Sequence, residues 1–277
     1  MFKSTCIRLR ILFAMSRIPS LVVTLFLLIA GHRIAAAQSS QTALQLHMDA
    51  TEVSGTTNGS LITPSTAPAG FTGTVVNNGG SVNYTPAQVG NGAYFLNCCG
   101  NNNAYYKFTG ATVGSIFNVS QGQISFYLKS RYSFSNRVAL AGQPRYAFDV
   151  RDGDASNHLF YFYTDISYVQ GEPYLQFTWR VGNGPVNGYL SYFYWIDSAM
   201  ADTLFGNGVI LKVTMKWNGV TDQLYLNDVL VQSFTYSPAT PNWTAASNFD
   251  VGAFEYMTSG GYNASDDVID EFTVMPQ

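Results

Sequence analysis

The side chains with reactive chemistry are few. Asp266, Asp267, Asp270 and Glu271 fall within six residues, Gln45 and His47 lie two apart, and Cys98 adjoins Cys99. Cleavage of a glycosidic bond by two carboxylates needs them about 5–5.5 Å apart for retention, or about 6.5–9.5 Å for inversion. Alternation along a strand predicts Asp270 on the face of Phe272 and Val274, with Glu271 on the opposite face, so the two would not flank one bond. No G-x-S-x-G run offers a serine nucleophile. His47 and His158 read as strand or turn residues rather than bases, and no catalytic residue is assigned. Neighbouring Cys98 and Cys99 have Cα atoms only ~3.8 Å apart, below the usual disulfide range. A vicinal disulfide between them would be a strained ring; an interchain bridge or two free thiols are the alternatives.

Aromatic residues are 15% of the chain and charged residues 11%, against roughly 25% charged in an ordinary soluble domain. So little charge excludes recognition of nucleic acid through a basic patch, and so much apolar content excludes disorder. Lys3, Arg8, Arg10 and Arg17 precede an apolar run from Ile18 to Ala30, followed by Ala35-Ala36-Ala37. This is the pattern of a secretory signal peptide over residues 1–37, with Met15 an alternative start. The other reading is an uncleaved anchor, but the run is shorter than the ~20 residues a spanning helix needs. Cleavage would remove five of 14 basic residues and none of 17 acidic ones, leaving 9 − 17 = −8. The expected location is secreted, periplasmic or extracellular, with no transmembrane anchor after cleavage.

After a short polar leader (38–43), residues 44–277 read as one domain of about a dozen short strands. Ile124-Phe126-Leu128, Leu175-Phe177-Trp179-Val181 and Leu211-Val213-Met215-Trp217 each alternate with polar or aromatic neighbours, the mark of half-buried antiparallel strands. Turn signals stand between strands at Asn183-Gly184-Pro185, Asn218-Gly219 and Asn227-Asp228. One short helix is expected at Ser198–Phe205, capped by Asp197 and stopped by Gly206. The predicted class is all-β, a two-sheet antiparallel β-sandwich with at most one short helix.

Several segments resemble the LamG-like jelly-roll group of the concanavalin A-like lectin/glucanase superfamily. Leu44 to Asp49 is similar to its opening strand, Gly90 to Leu96 to its G-x-A-L-x-F strand, and Ile124 to Lys129 to the strand that follows. Leu211 to Val231 resembles its W-x-G hairpin, and Val268 to Val274 its closing I-D-E strand. The resemblance implies a jelly roll whose first and last strands adjoin. That would bring Asp49 near Asp266 and Asp270 as a hard-oxygen site for structural Ca²⁺; alternatively these acids bond backbone groups. The E-x-D-x-x-E run of the glucanase branch is absent. Gln45-Leu46-His47 is similar to the Q-I-H element of the alginate-lyase branch, whose partner motifs are also absent. Asp152 to Asn157 spaces oxygens like a calcium loop but reads as a polar turn.

Sugar rings have apolar CH faces, which suit aromatic platforms beside planar hydrogen-bonding groups. Tyr161, Tyr163, Tyr192 and Tyr194 are expected together on a concave or outward face, with Arg180 near them. The alternative is that tyrosine, a good strand former, simply fills the sandwich. The functional expectation is a secreted non-catalytic module that binds a glycan. The competing readings are an adhesion protein recognising an extracellular surface protein, and a polysaccharide hydrolase or lyase with an unrecognised site.

Overall fold

The computed structural model describes residues 42–96, 103–140, 143–154, 156–182, 191–254 and 265–276. The first strands are β1 (Leu44–Leu46), β2 (Leu61–Ile62), β3 (Gly73–Asn77), β4 (Ser81–Pro86), β5 (Asn91–Leu96) and β6 (Ala104–Thr109). A helix, α1 (Val113–Ile116), leads to β7 (Gly122–Lys129), and α2 (Phe134–Ala139) follows it. Then come β8 (Arg145–Arg151), β9 (His158–Val169), β10 (Glu172–Val181), β11 (Tyr192–Ile196) and α3 (Ser198–Phe205). The remainder is β12 (Ile210–Trp217), β13 (Thr221–Leu226), β14 (Val229–Thr235), β15 (Asn248–Val251) and β16 (Val268–Met275).

These strands make two eight-stranded antiparallel sheets facing each other. The first runs β14-β13-β12-β7-β16-β5-β4, with β1 also paired to β16; the second runs β11-β10-β9-β8-β15-β6-β3-β2. The alternation in sequence becomes alternation of burial: every second residue of β7 is buried, from Gly122 to Leu128. Inward residues of both sheets meet in an aromatic core. Phe126 of β7 stacks on Phe272 of β16 and meets Phe148 and Phe162 of the other sheet edge-on, with ring centres 5.3–5.7 Å apart. Such edge-on pairs place a ring's positive rim against the negative face of its neighbour.

The Asn227-Asp228 turn signal acts as read, while Asn183-Gly184-Pro185 lies outside the described residues. Asn227 and Asp228, both in the left-handed region (φ 50° and 64°), join β13 to β14, as a two-residue type I′ hairpin requires. The Asp197 side chain caps α3 by accepting from Met200 N at 3.0 Å. Two further helices exceed the single one expected: α1 has four residues and α2 six, too short to leave a 3.6-residue periodicity. Among the described residues no helix is long and apolar enough to cross a membrane.

Candidate functional site

The two sheets end, on the same side of the sandwich, in strands β11 and β14. Their side chains meet across the gap between the sheets. Tyr192 stacks on Phe234 (4.4 Å, 11° between planes), its hydroxyl donates to Thr235 O at 3.2 Å, and Trp179 packs behind both rings. Outside this clasp the seam stays open as two grooves that share Tyr194 and Trp195. One, of about 450 Å³, lies between these residues, α3 (Asp197, Met200, Leu204) and the β13–β14 hairpin (Asn227, Val229, Val231). The other, of about 550 Å³, continues past Phe193 to Gln232 and Phe234. Exposed apolar residues gather at or beside the seam: Phe193 (44%), Trp195 (42%), Met200 (54%), Val229 (64%) and Leu230 (47%).

The structure divides the expected tyrosine set. In β11, Tyr192 lies opposite Trp179 and Tyr194 opposite Phe177. Paired residues in an antiparallel ladder share a face, so these tyrosines take the inner side, at the sheet edge. Phe193 and Trp195 instead share the outer face with Tyr161, Tyr163 and Arg180. The expectation of four tyrosines on one face is therefore corrected by one residue of parity. Ile196, buried at 7% where β11 meets α3, sets that parity.

On the outer face of the second sheet, Arg180 lies opposite Tyr161 and Thr178 opposite Tyr163. Tyr161 and Arg180 are nonetheless only 4% and 5% exposed. Burial pushes the Tyr161 hydroxyl up to about 12, and it shares a 2.5 Å hydrogen bond with Ser191. Tyr146 packs 4.5 Å from both Tyr163 and Phe254. Beside them His158 Nδ1 pairs with Asp149 at 2.9 Å, while Arg151 bridges Asp149 and Asp250. Around Tyr161, Arg180, His158 and Arg151 this face is a buried polar layer, which gives way to exposed Phe193 and Trp195 at the β11 edge.

The three acids considered for Ca²⁺ have separate partners. Asp49 accepts from Thr51 N, Asp266 from Arg145 Nε and the Tyr132 hydroxyl, and Asp270 from Val89 N at 2.8 Å. Strands β1 and β16 do pair, Leu44 opposite Val274, yet the described residues hold no group of three His, Cys, Asp or Glu able to bind a metal. The Asp152–Asn157 tip satisfies itself: Asp152 accepts from Asp154 N and Asn157 Nδ2. Cys98 and Cys99 lie outside the described residues.

The alternation assumed for Asp270 and Glu271 is broken by a bulge. Asp270 lies opposite Tyr127 and Thr273 opposite Ser125, so three steps along β16 match two along β7, and Glu271 takes φ 48°. Both acids thus lie toward the outer side. Glu271 accepts from Gln45 Nε2 and pairs with His47 Nδ1 at 2.7 Å, a contact that raises the imidazole above its ordinary 6.5. Burial pushes the Asp270 carboxyl up to about 6. At 1% exposure and accepting from Val89 N, Asp270 anchors the β4–β5 turn.

Sequence reasoning missed Trp195, Met200, Asn227 and Val229 as groove residues. Trp195 was within reach, because counting back from apolar Ile196 puts it outward. The others belong to the groove only because β14 ends one sheet and β11 the other.

The class that this architecture defines is the two-sheet antiparallel β-sandwich domain. Solved structures that share it include botulinum neurotoxin type C, from work on its cell entry through two ganglioside molecules (TM-score 0.53, 16% identity, 88% of this chain and 50% of that one). The botulinum neurotoxin serotype G binding domain matches with a TM-score of 0.53 and 12% identity over 86% of this chain and 48% of that one. The binding domain of botulinum neurotoxin DC, in complex with rat synaptotagmin II, matches with a TM-score of 0.50 and 15% identity over 86% and 48%. The chain spans about half the length of these relatives, and at such identities the likeness is one of fold. No protein-family model matches the chain, and no curated protein matches it.

Proposed function

We propose that the protein is an exported, non-catalytic carbohydrate-binding module of the LamG-like, concanavalin A-like type, and that its glycan lies along the β11–β14 seam. The observation that carries this reading is the pair of large aromatic side chains, Phe193 and Trp195, held more than two-fifths exposed at an open groove. Exposed aromatic area next to planar amides is the equipment for gripping a sugar's CH face while bonding its hydroxyls. Trp195 is fixed by its indole N–H donating to Gln176 Oε1 at 2.8 Å, so its ring is a preorganised platform. Gln232 and Asn227 supply the amides. The leader over residues 1–37 supports export. A glycan array probed with the protein, with and without Ca²⁺, tests the reading. Binding is expected, with loss on Trp195→Ala or Tyr194→Ala; an array blank under both conditions sinks the idea. Tyr161→Ala and Arg180→Ala are expected to lower the melting temperature, because both side chains are buried.

A second reading is an adhesion module that takes a protein partner. It is favoured by the same open edges, where β14 carries Val229 and Leu230 exposed beside unpaired backbone able to receive another strand. The neurotoxin DC domain, whose structure contains synaptotagmin II, is a precedent for the fold in that role. Retention of a cell-surface protein by wild type, abolished by Leu230→Lys on a blank glycan array, would favour this second reading.

A further inference from the structure

We infer that the seam selects uncharged glycans and rejects sugars carrying a carboxylate or sulfate; this rests on the carbohydrate reading above. Anion recognition needs a cation or a cradle of free backbone N–H groups. Among the described residues no Lys or Arg lines either groove, and the charged one that does is Asp197. The positive feature nearby is the N-terminus of α3, whose aligned peptide dipoles would favour an anion. Asp197 already occupies it: Oδ1 accepts from Met200 N at 3.0 Å, placing a fixed negative charge where a ligand's carboxylate would have to come. Asp228 stands next to Asn227 at the hairpin tip, its side chain 70% exposed and paired with Lys212 at 2.8 Å, so that lysine's charge is spent outside the groove.

The remaining polar groups match hydroxyls. Among the described residues the Asp197 side chain accepts through Oδ1 from Met200 N, and its second carboxylate oxygen can accept from a hydroxyl. The Asn227 side-chain oxygen is taken by Lys212 N at 2.9 Å, which leaves its amide as a donor. Gln232 offers both donor and acceptor. A neutral sugar hydroxyl donates and accepts and satisfies such a set, whereas a carboxylate only accepts. The apolar walls given by Met200, Leu204, Val229 and Val231 likewise favour a ring without charge. The −8 net charge expected of the exported chain, read from its residues, adds a like-charge field against polyanions.

The test is titration calorimetry of the exported protein against two sets of probes. The neutral set is cellohexaose, xylohexaose and mannohexaose; the anionic set is hexagalacturonate and sialyllactose. Binding is expected from the neutral set, with affinity unchanged between low and high salt and reduced about tenfold or more by Trp195→Ala. Asp197→Asn keeps a competent helix cap, so the variant is expected to melt near wild type while its discrimination against hexagalacturonate narrows. Binding of the anionic set as tightly as the neutral set overturns the inference and leaves the carbohydrate reading standing. Absence of binding by both sets overturns the carbohydrate reading itself. Neutral binding that survives Trp195→Ala in a folded variant overturns the seam as its site.

Discussion

Asp222 is a carboxyl group on the inner face of β13, fully buried, both of whose oxygens accept from the Trp179 indole N–H at 3.1 Å. One shared neutral donor does not replace the water that an ionised carboxylate loses, so burial pushes the group up to about 7 from its ordinary 3.8. Between those values the folded protein holds a proton that the unfolded chain has released. Stability is therefore greatest at the acid end of this window and falls as pH rises towards 7. The loss amounts to about 4 kcal/mol for Asp222. Asp270, raised to about 6, and His47, raised by Glu271, act in the same direction. Urea unfolding at pH 5 and pH 8 is expected to show lower stability at pH 8, with the difference much reduced in Asp222→Asn. A wild type equally stable at both would contradict the buried-acid account. Because Trp179 also backs the Tyr192–Phe234 clasp, this acid lies directly beneath the seam.

At the scale of elements, short helices and loops are held by a few buried charges rather than by their own propensity. Arg137 of α2 and Asp267, just before β16, pair at 2.5 Å with side chains 1% and 2% exposed. The same guanidinium donates to Ser130 Oγ and lies 4.6 Å from the Phe205 ring centre of α3. One residue thereby joins α2 and α3 to the approach to the last strand. Asp267→Ala leaves a buried cation without its partner and is expected to cost about 3–5 kcal/mol, measured by chemical denaturation. Asp267→Asn should recover part of that loss. The exit from β15 is similarly constrained. Gly252 has φ 90°, and a Cβ there would come within 2.1 Å of the Phe95 ring in the opposite sheet. Gly252→Ala is expected to lower the melting temperature through both backbone strain and overpacking; an unchanged melting temperature would show that Phe95 can yield.

At the scale of the whole molecule, the first and last strands hold each other. β1 pairs with the C-terminal half of β16, and Leu44 and Leu46 are completely buried there. Leu46→Ala is expected to cost about 2–5 kcal/mol, as a core truncation does, despite lying in a three-residue strand. The fold needs contacts between its first and last strands and pairings such as β15 with β6. Refolding is therefore expected in milliseconds to seconds, as for other β-sandwiches of high contact order; stopped-flow tryptophan fluorescence would show it. A microsecond phase carrying the full amplitude would contradict this topology. The seam too is a property of the whole, because it exists where both sheets stop.

Much of the framework was legible in the chain because its causes are local. Strict alternation in Ile124–Leu128 and Leu211–Trp217 marks strands, Asn227-Asp228 suits a two-residue turn, and Asp197 with Gly206 brackets α3. Local pattern fails where both faces look alike: Tyr192-Phe193-Tyr194-Trp195 is aromatic at every position, so alternation cannot say which pair is outward, and pairing with Trp179 and Phe177 settles it. It also fails at Asp270-Glu271, where matching β16 to both β7 and β1 forces a bulge that moves a side chain to the other face. Nothing near Asp222 in sequence announces a carboxyl in the core. The sequence by itself determined which segments become strands and which residues alternate. Only the tertiary structure decided which strands are left as edges, which aromatics remain wet and which acids lose their water. Those outcomes depend on hydrogen-bond register and on covering surfaces, supplied by segments far away in the chain.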